Sequence, residues 1–222
     1  MRTVLLTIVA IGLPFLLFDD GLAADPEVQA RTAAENYLDY VVERSQRDSG
    51  YFERLFGVPL PDSGQAEVTL GTPFTVVSLH QDGAEKFANG DEDILTHAKR
   101  SGFEFPVVVE GVVVALVETM WRDRKWVWSQ LRARRDTILA AFKQNRVEKA
   151  SDGDQDEFMF LQTYGFGSYL IVRDRGGFTK IAPIGKHSVR HLGLEQAGEG
   201  LFVDYSTVEG RLRSRAAGEL DD

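Results

Sequence analysis

The fold is decided by the stretch from Phe103 to Leu131, which contains FEFPVVVEG, VVVALVETMW and KWVWSQL in that order. β-Branched and aromatic residues dominate all three segments, as is typical of strands that pack against a core. Gly111 lies at the first junction and Arg122-Asp123-Arg124 at the second. Three strand-like segments joined by short turns predict an antiparallel β-meander.

Helical patterns and further strands flank this meander. Asp25 and Pro26 are typical of a helix start. The apolar residues that follow recur every three or four positions, as on one helix face: Ala30, Ala34, Tyr37, Leu38, Val41 and Val42. A second long helix is predicted over Leu131–Asn145, and strand-like segments resume at FMFLQTY, SYLIVRD and FTKIAPI. The predicted fold class is therefore α+β, with antiparallel sheet packed against amphipathic helices.

The predicted organisation is a signal peptide over 1–23, a helix-plus-meander unit over 24–131, a second such unit over 132–207 and a polar tail over 208–222 that frays. Both meanders begin Phe-x-Phe and place an arginine-bearing turn before an aromatic residue. A degenerate duplication explains this likeness. The alternative is that any two meanders share such features, and the units form either one domain or two.

The N-terminus has the three parts of a secretory signal. Arg2 supplies a positive charge, residues 3–18 form an apolar run, and Gly21-Leu22-Ala23 offers small residues for cleavage. A membrane anchor needs about 20 apolar residues, so cleavage after Ala23 is favoured over a retained anchor. We expect an exported protein, periplasmic or extracellular, with no stable membrane span after cleavage.

Composition excludes several kinds of chemistry. The 222 residues include no cysteine, which removes disulfides, thiolate metal sites and cysteine nucleophiles. The net charge is −9, so nucleic acid is a poor partner for the whole molecule. The glycine-rich segment at 165–168 lacks the features of a nucleophile elbow or a phosphate loop and is predicted to be a turn. We expect a non-catalytic protein with no cofactor.

The candidate binding surface comprises Trp121, Arg122, Arg124, Trp126 and Trp128. All three tryptophans belong to this surface. The segment over 101–150 that contains them has nine Lys and Arg residues but only six Asp and Glu residues. Trp126 and Trp128 share one face of a strand because side chains alternate with period two. Aromatic and basic side chains in this arrangement can stack on carbohydrate or another ligand. The alternative is that the tryptophans anchor the sheet to a helix while the arginines are solvated.

A metal-assisted hydrolase is an alternative function. His187, His191 and Glu195 are spaced four residues apart, and on a helix they would project from one face. Gly185 and Gly193 make a helix through all three doubtful, so no metal site is predicted.

Two further alternatives are a glycosidase and a small-ligand carrier. Glu104, Glu110 and Glu118 lie in the first meander and could form an acid–base pair, although strand carboxylates usually face water. A carrier would need an apolar pocket under the curved sheet.

A longer pattern runs from Leu70 to Leu131. It reads GxPFxVxxL from Gly71, FPVVVxGxxxAL from Phe105 and KWxW from Lys125. This pattern resembles one in uncharacterised exported bacterial proteins and covers under a third of the chain. The resemblance implies an α+β module and export, and it carries no catalytic residues. Together with the candidate surface, it favours an exported module that binds a protein or an envelope component.

Overall fold

The computed structural model describes residues 25–61, 68–90, 92–133, 138–140, 142–143, 157–163, 165–173, 179–195 and 201–218. The predicted signal peptide lies outside these residues, so export and cleavage stay predictions. Within the described ranges, no helix has the length and apolar character needed to cross a membrane.

The described chain is α+β, as the sequence predicts. The helices are α1 Pro26–Arg47, α2 Tyr51–Phe56, α3 Gln81–Asn89, α4 Ile94–His97, α5 Gly185–Leu192 and α6 Tyr205–Ala216. The strands are β1 Val68–Leu70, β2 Phe74–Leu79, β3 Lys99–Val109, β4 Val112–Arg122, β5 Lys125–Ala133, β6 Glu157–Thr163, β7 Gly167–Arg173, β8 Thr179–Ile184 and β9 Val203–Asp204. Asp25 caps α1 as predicted, because its side chain accepts a hydrogen bond from the Glu27 amide at 2.9 Å.

One 9-stranded sheet contains both predicted meanders. The strand order is β5-β4-β3-β2-β6-β7-β8-β9, and β1 pairs with β3 off this path. Strand β2 joins the two meanders, since it is antiparallel to β3 on one side and parallel to β6 on the other. The sheet is therefore continuous from β5 to β9, and the predicted unit boundary after residue 131 lies inside β5.

Helices cover both faces of this sheet. On one face, α1 and α2 pack on β3–β5 around Phe52, Phe103 and Phe105, and the helices α3–α6 pack on β2 and β6–β8 around Phe87 and Tyr169. On the other face, Ile138, Leu139 and Phe142 pack against side chains of β2, β4, β6, β7 and β8. The helical residues before the second meander thus lie on the opposite face from α1, so the two halves differ in their helix packing.

The expected long helix over Leu131–Asn145 is wrong at its start. Strand β5 continues to Ala133, and helical residues are described at 138–140 and 142–143. Leu131 and Ala133 pack against the core that α1 covers. This packing extends β5 past Leu131, where the helical pattern of the sequence begins.

The expected frayed tail from Val208 is also wrong, because α6 is a packed helix. Tyr205, Val208 and Leu212 are buried at spacings of three and four, which is one helix face. Arg213 adds polar contacts: its guanidinium stacks on the Phe87 ring at 4.4 Å and donates hydrogen bonds to the carbonyl oxygens of Phe87, Gly90 and Glu92. The C-terminal helix therefore closes the end of α3.

A register shift in β5 determines which side chains face α1. Glu118 of β4 pairs with Gln130, whereas Thr119 pairs with Trp128, so Ser129 is an extra residue in β5. An extra residue reverses the alternation of side chains beyond it. Trp126 and Trp128 before the bulge and Leu131 after it therefore all face α1.

On the opposite face, the same bulge buries Arg132 between two glutamates. Arg132 Nε lies 2.6 Å from Glu104 Oε1 and Arg132 Nη2 lies 2.7 Å from Glu118 Oε2. Glu104 and Glu118 are direct cross-strand partners, an arrangement that is repulsive for like charges. Arg132 offsets this repulsion. The expectation that strand carboxylates face water is wrong here, since all three side chains are buried.

We expect Arg132→Met to lower the free energy of unfolding by about 3–5 kcal/mol, because it removes a buried cation that bonds to two buried carboxylates. Urea denaturation measures this loss. The control is the triple variant Arg132→Met, Glu104→Gln, Glu118→Gln, which removes all three charges and recovers a substantial part of the stability. A single variant as stable as the wild type would contradict the role of Arg132.

Candidate functional site: a groove between α1 and β5

A groove of about 820 Å³ lies between α1 and the end of the β4–β5 hairpin. Its helix wall is one face of α1, with members three or four residues apart: Gln29, Thr32, Ala33, Asn36, Tyr37 and Tyr40. Its strand wall comes from the start of β5 and the turn before it: Arg124, Lys125, Trp126, Val127 and Trp128. This volume lies in the range of small-molecule and cofactor sites.

Aromatic rings form a series along the strand wall. Trp121 and Trp126 are cross-strand partners whose ring centroids lie 5.8 Å apart at 63°. Trp126 also packs on Phe103 at 5.4 Å, so it anchors the series in the core. Trp128 stacks on Tyr37 of the helix wall at 4.3 Å. The geometry holds the rings rigidly, since each one packs against a neighbour.

Three aromatic side chains at the groove are about half exposed to solvent. Trp121 is 53% exposed, Trp128 is 48% exposed and Tyr40 is 50% exposed. Packing against neighbouring rings explains the position of Trp126. Large parts of the Trp121 and Trp128 indoles, in contrast, are not covered by the protein. Trp126 therefore anchors the sheet, and Trp121 and Trp128 present exposed ring surface, while a binding role for this surface stays a prediction.

Two tyrosines of the helix wall have environments that the structure defines. Burial, followed by the nearby Tyr51 and Tyr40, raises the pKa of Tyr37 above its ordinary value. The Tyr40 hydroxyl accepts a hydrogen bond from Arg44 Nη1 at 2.8 Å, and this bond is the largest cause that raises the pKa of Arg44. Tyr40 also lines a neighbouring cavity of about 360 Å³, so the groove continues along α1.

The turn at the strand wall has an unfavourable backbone conformation. Asp123 and Arg124 have φ of 51° and 63°, as the two central residues of a type I′ hairpin require. Glycine or asparagine is the ordinary choice at such positions, and arginine is disfavoured there. This turn nevertheless places Arg124 at the mouth of the groove.

The structure brings together four of the five residues of the predicted surface. Trp126, Trp128 and Arg124 line the groove, and Trp121 extends it through its contact with Trp126. Arg122 is exposed outside the lining, with its Nε 3.7 Å from Asp123 Oδ2. Sequence reasoning missed the helix wall because Tyr37 was assigned to the core face of α1. The signal was present in Gln29, Thr32, Asn36 and Tyr40, a polar stripe beside that face.

The histidines of the metal hypothesis lie elsewhere, on α5. His187 and His191 are adjacent, with ring centroids 3.8 Å apart, and the buried His191 Nδ1 lies 2.7 Å from the Phe166 carbonyl oxygen. Helix α5 ends before Gly193, which has left-handed backbone, so Glu195 is not on the same helix. Among the described residues, no group of three or more His, Asp or Glu is placed to hold a metal ion.

The glycine-rich segment is predicted to be a turn over 165–168; Gly165 and Phe166 do form a turn between β6 and β7, whereas Gly167 and Ser168 begin β7. The Phe166 carbonyl oxygen accepts a hydrogen bond from the Tyr169 hydroxyl at 2.5 Å and lies within hydrogen-bonding distance of His191. A Cβ at Gly167 would lie 2.6 Å from Ser188 Oγ, so glycine is required there. These contacts are structural and tie the turn to α5.

Comparisons of the chain with protein-family models, with curated proteins and with solved structures find no match. The resemblance to uncharacterised exported bacterial proteins stays a prediction.

We expect Arg124→Gly to raise the free energy of unfolding by about 1 kcal/mol, because glycine adopts left-handed backbone without the steric cost that a Cβ imposes. Urea denaturation measures the gain. Arg124→Ala is the matched control, since it removes the same charge but keeps the Cβ. Equal gains in both variants would mean that charge, and not backbone conformation, disfavours arginine at this turn.

Proposed function

We propose that the protein is an exported, non-catalytic α+β module that binds a protein or an envelope component in the groove between α1 and β5. The observation that carries this proposal is the cluster of half-exposed aromatic rings, Trp121, Trp128 and Tyr40, at a single groove. Clustered exposed apolar surface favours an interaction site, because isolated exposed residues are common but groups of them are not.

The lining chemistry supports binding over catalysis. Aromatic, amide, hydroxyl and basic side chains line the groove within the described part of the chain, and carboxylates and histidines are not among them. General acid–base catalysis depends most often on those two groups. The glutamates once considered for such a role, Glu104 and Glu118, are held by Arg132 on the opposite face of the sheet.

The same surface is less suited to a small-ligand carrier. A carrier encloses its ligand, and pockets of that kind bury most of the ligand surface. Here two indoles and one phenol are about half exposed at the groove, so a ligand would keep contact with solvent. An extended partner that lies along the groove fits this geometry better.

We expect Trp128→Ala to reduce capture of the partner from the solubilised native envelope by at least about tenfold, since truncation of an aromatic hot spot costs about 2 kcal/mol or more of binding free energy and tenfold corresponds to about 1.4 kcal/mol. The measurement is crosslinked capture on the immobilised protein, with the partner identified by mass spectrometry or sugar analysis. The matched control is Val112→Ala, which alters an exposed apolar residue at the other end of β4.

Circular dichroism spectra must show that both variants are folded. Equal capture by the wild type and Trp128→Ala would remove the groove as the binding site. Loss of capture in Val112→Ala alone would move the site to the opposite end of the hairpin.

A further inference from the structure

We infer that the ligand of the groove is an anionic glycan, whose sugar rings stack on the indoles of Trp121 and Trp128 while its carboxylates or phosphates pair with Arg124 and Lys125. This inference rests on the proposed function and narrows it to one ligand class. Three observations support it: the difference in chemistry between the two walls of the groove, the positive charge of its lining, and the backbone conformation of the turn at Arg124.

The strand wall suits a ligand with flat apolar faces. The face of an indole carries partial negative charge, and the C–H groups on the face of a sugar ring carry partial positive charge, so the two attract. Trp126 is fixed by Phe103 and Trp121, and Trp128 is fixed by Tyr37. The ring surface is therefore ordered before the ligand arrives, which lowers the entropy cost of binding.

The helix wall suits the polar edge of the same ligand. Asn36 carries an amide, which both donates and accepts hydrogen bonds, and Tyr40 carries a hydroxyl. These groups match the hydroxyls on the rim of a sugar ring. From Gln29 to Tyr40 the wall is roughly 16 Å long at the helical rise per residue, so it can contact several sugar units. A ligand with apolar faces and hydroxylated edges fits both walls.

The charge of the groove selects an anion. Arg124 and Lys125 are the charged residues among the lining side chains that the structure describes, in a protein whose net charge is −9. Both belong to the turn and first residue of β5, so two cations meet at one end of the series of rings. The arginine fork binds carboxylates and phosphates in a planar, two-point geometry.

The turn conformation identifies Arg124 as the specificity-determining residue. Its φ of 63° makes arginine costlier than glycine at this position. Unfavourable backbone at a cleft is an observation from which function can be inferred. Binding of the ligand anion by the Arg124 guanidinium offsets this backbone cost.

The test measures binding of defined probes by quenching of tryptophan fluorescence and on a printed array. The probes are uronic-acid oligosaccharides, phosphodiester-linked glycans, their methyl-esterified or dephosphorylated counterparts, and proline-rich peptides. We expect an anionic glycan to bind at least tenfold more tightly than its neutral counterpart, with affinity that falls as salt is raised. The uronate and phosphodiester arms show which anion is recognised.

The deciding variants are Arg124→Gln and Arg122→Gln, which remove the same charge from the same turn, inside and outside the lining respectively. We expect Arg124→Gln to weaken glycan binding at least tenfold and Arg122→Gln to change it less than twofold. Equal effects of the two variants would mean that Arg124 acts only through general electrostatic attraction. That result would overturn its assignment as the specificity-determining residue.

Other outcomes separate this inference from the proposed function. Equal binding of charged and neutral glycans, or binding of peptides alone, overturns the anionic glycan while a groove-dependent envelope partner still stands. If no probe binds and Trp128→Ala captures envelope material as well as the wild type does, both proposals fail.

Discussion

The extra residue Ser129 in β5 is the constraint on which both functional features of the sheet depend. Side chains in a strand alternate strictly, so without the bulge Trp126, Trp128 and Arg132 would share a face. With it, the tryptophans face α1, and Arg132 faces the opposite layer and reaches Glu104 and Glu118. A single register shift thus separates an aromatic wall that contacts solvent from a charge cluster that must stay buried.

The groove lies at the sheet edge because its strand wall belongs to the edge strand β5. Strand β5 ends the strand order, and α1 packs along it through Tyr37 and the core residues beneath. The cavity is lined on the strand side from Arg124 to Trp128. The packed part of α1 on β3–β5 therefore acts as the rigid support, and the turn supplies the charged rim.

Much of the architecture could be predicted from the sequence, and its failures have identifiable causes. The six strands of the two meanders and α1 follow directly from apolar periodicity, with a cap at Asp25 and turns at Gly111 and Arg122-Asp123-Arg124. Helix α6 was missed because its mean composition is polar, and its burial depends on contacts with α3 far away in the chain. The tryptophan surface was found from residue clustering, but its helix wall was not, because period alone does not show which polar stripe lies beside a cleft.

Arg213, which holds α6 against α3, affects when this half of the molecule can complete its folding. Arg213 contacts Phe87 across 126 positions of the chain, so the layer over β6–β8 is incomplete until the segment that contains α6 has been synthesised. Closing a loop of this length costs entropy before the contact is gained, and this cost slows folding. Until α6 docks, the apolar side chains that Tyr205, Val208 and Leu212 cover stay exposed to solvent.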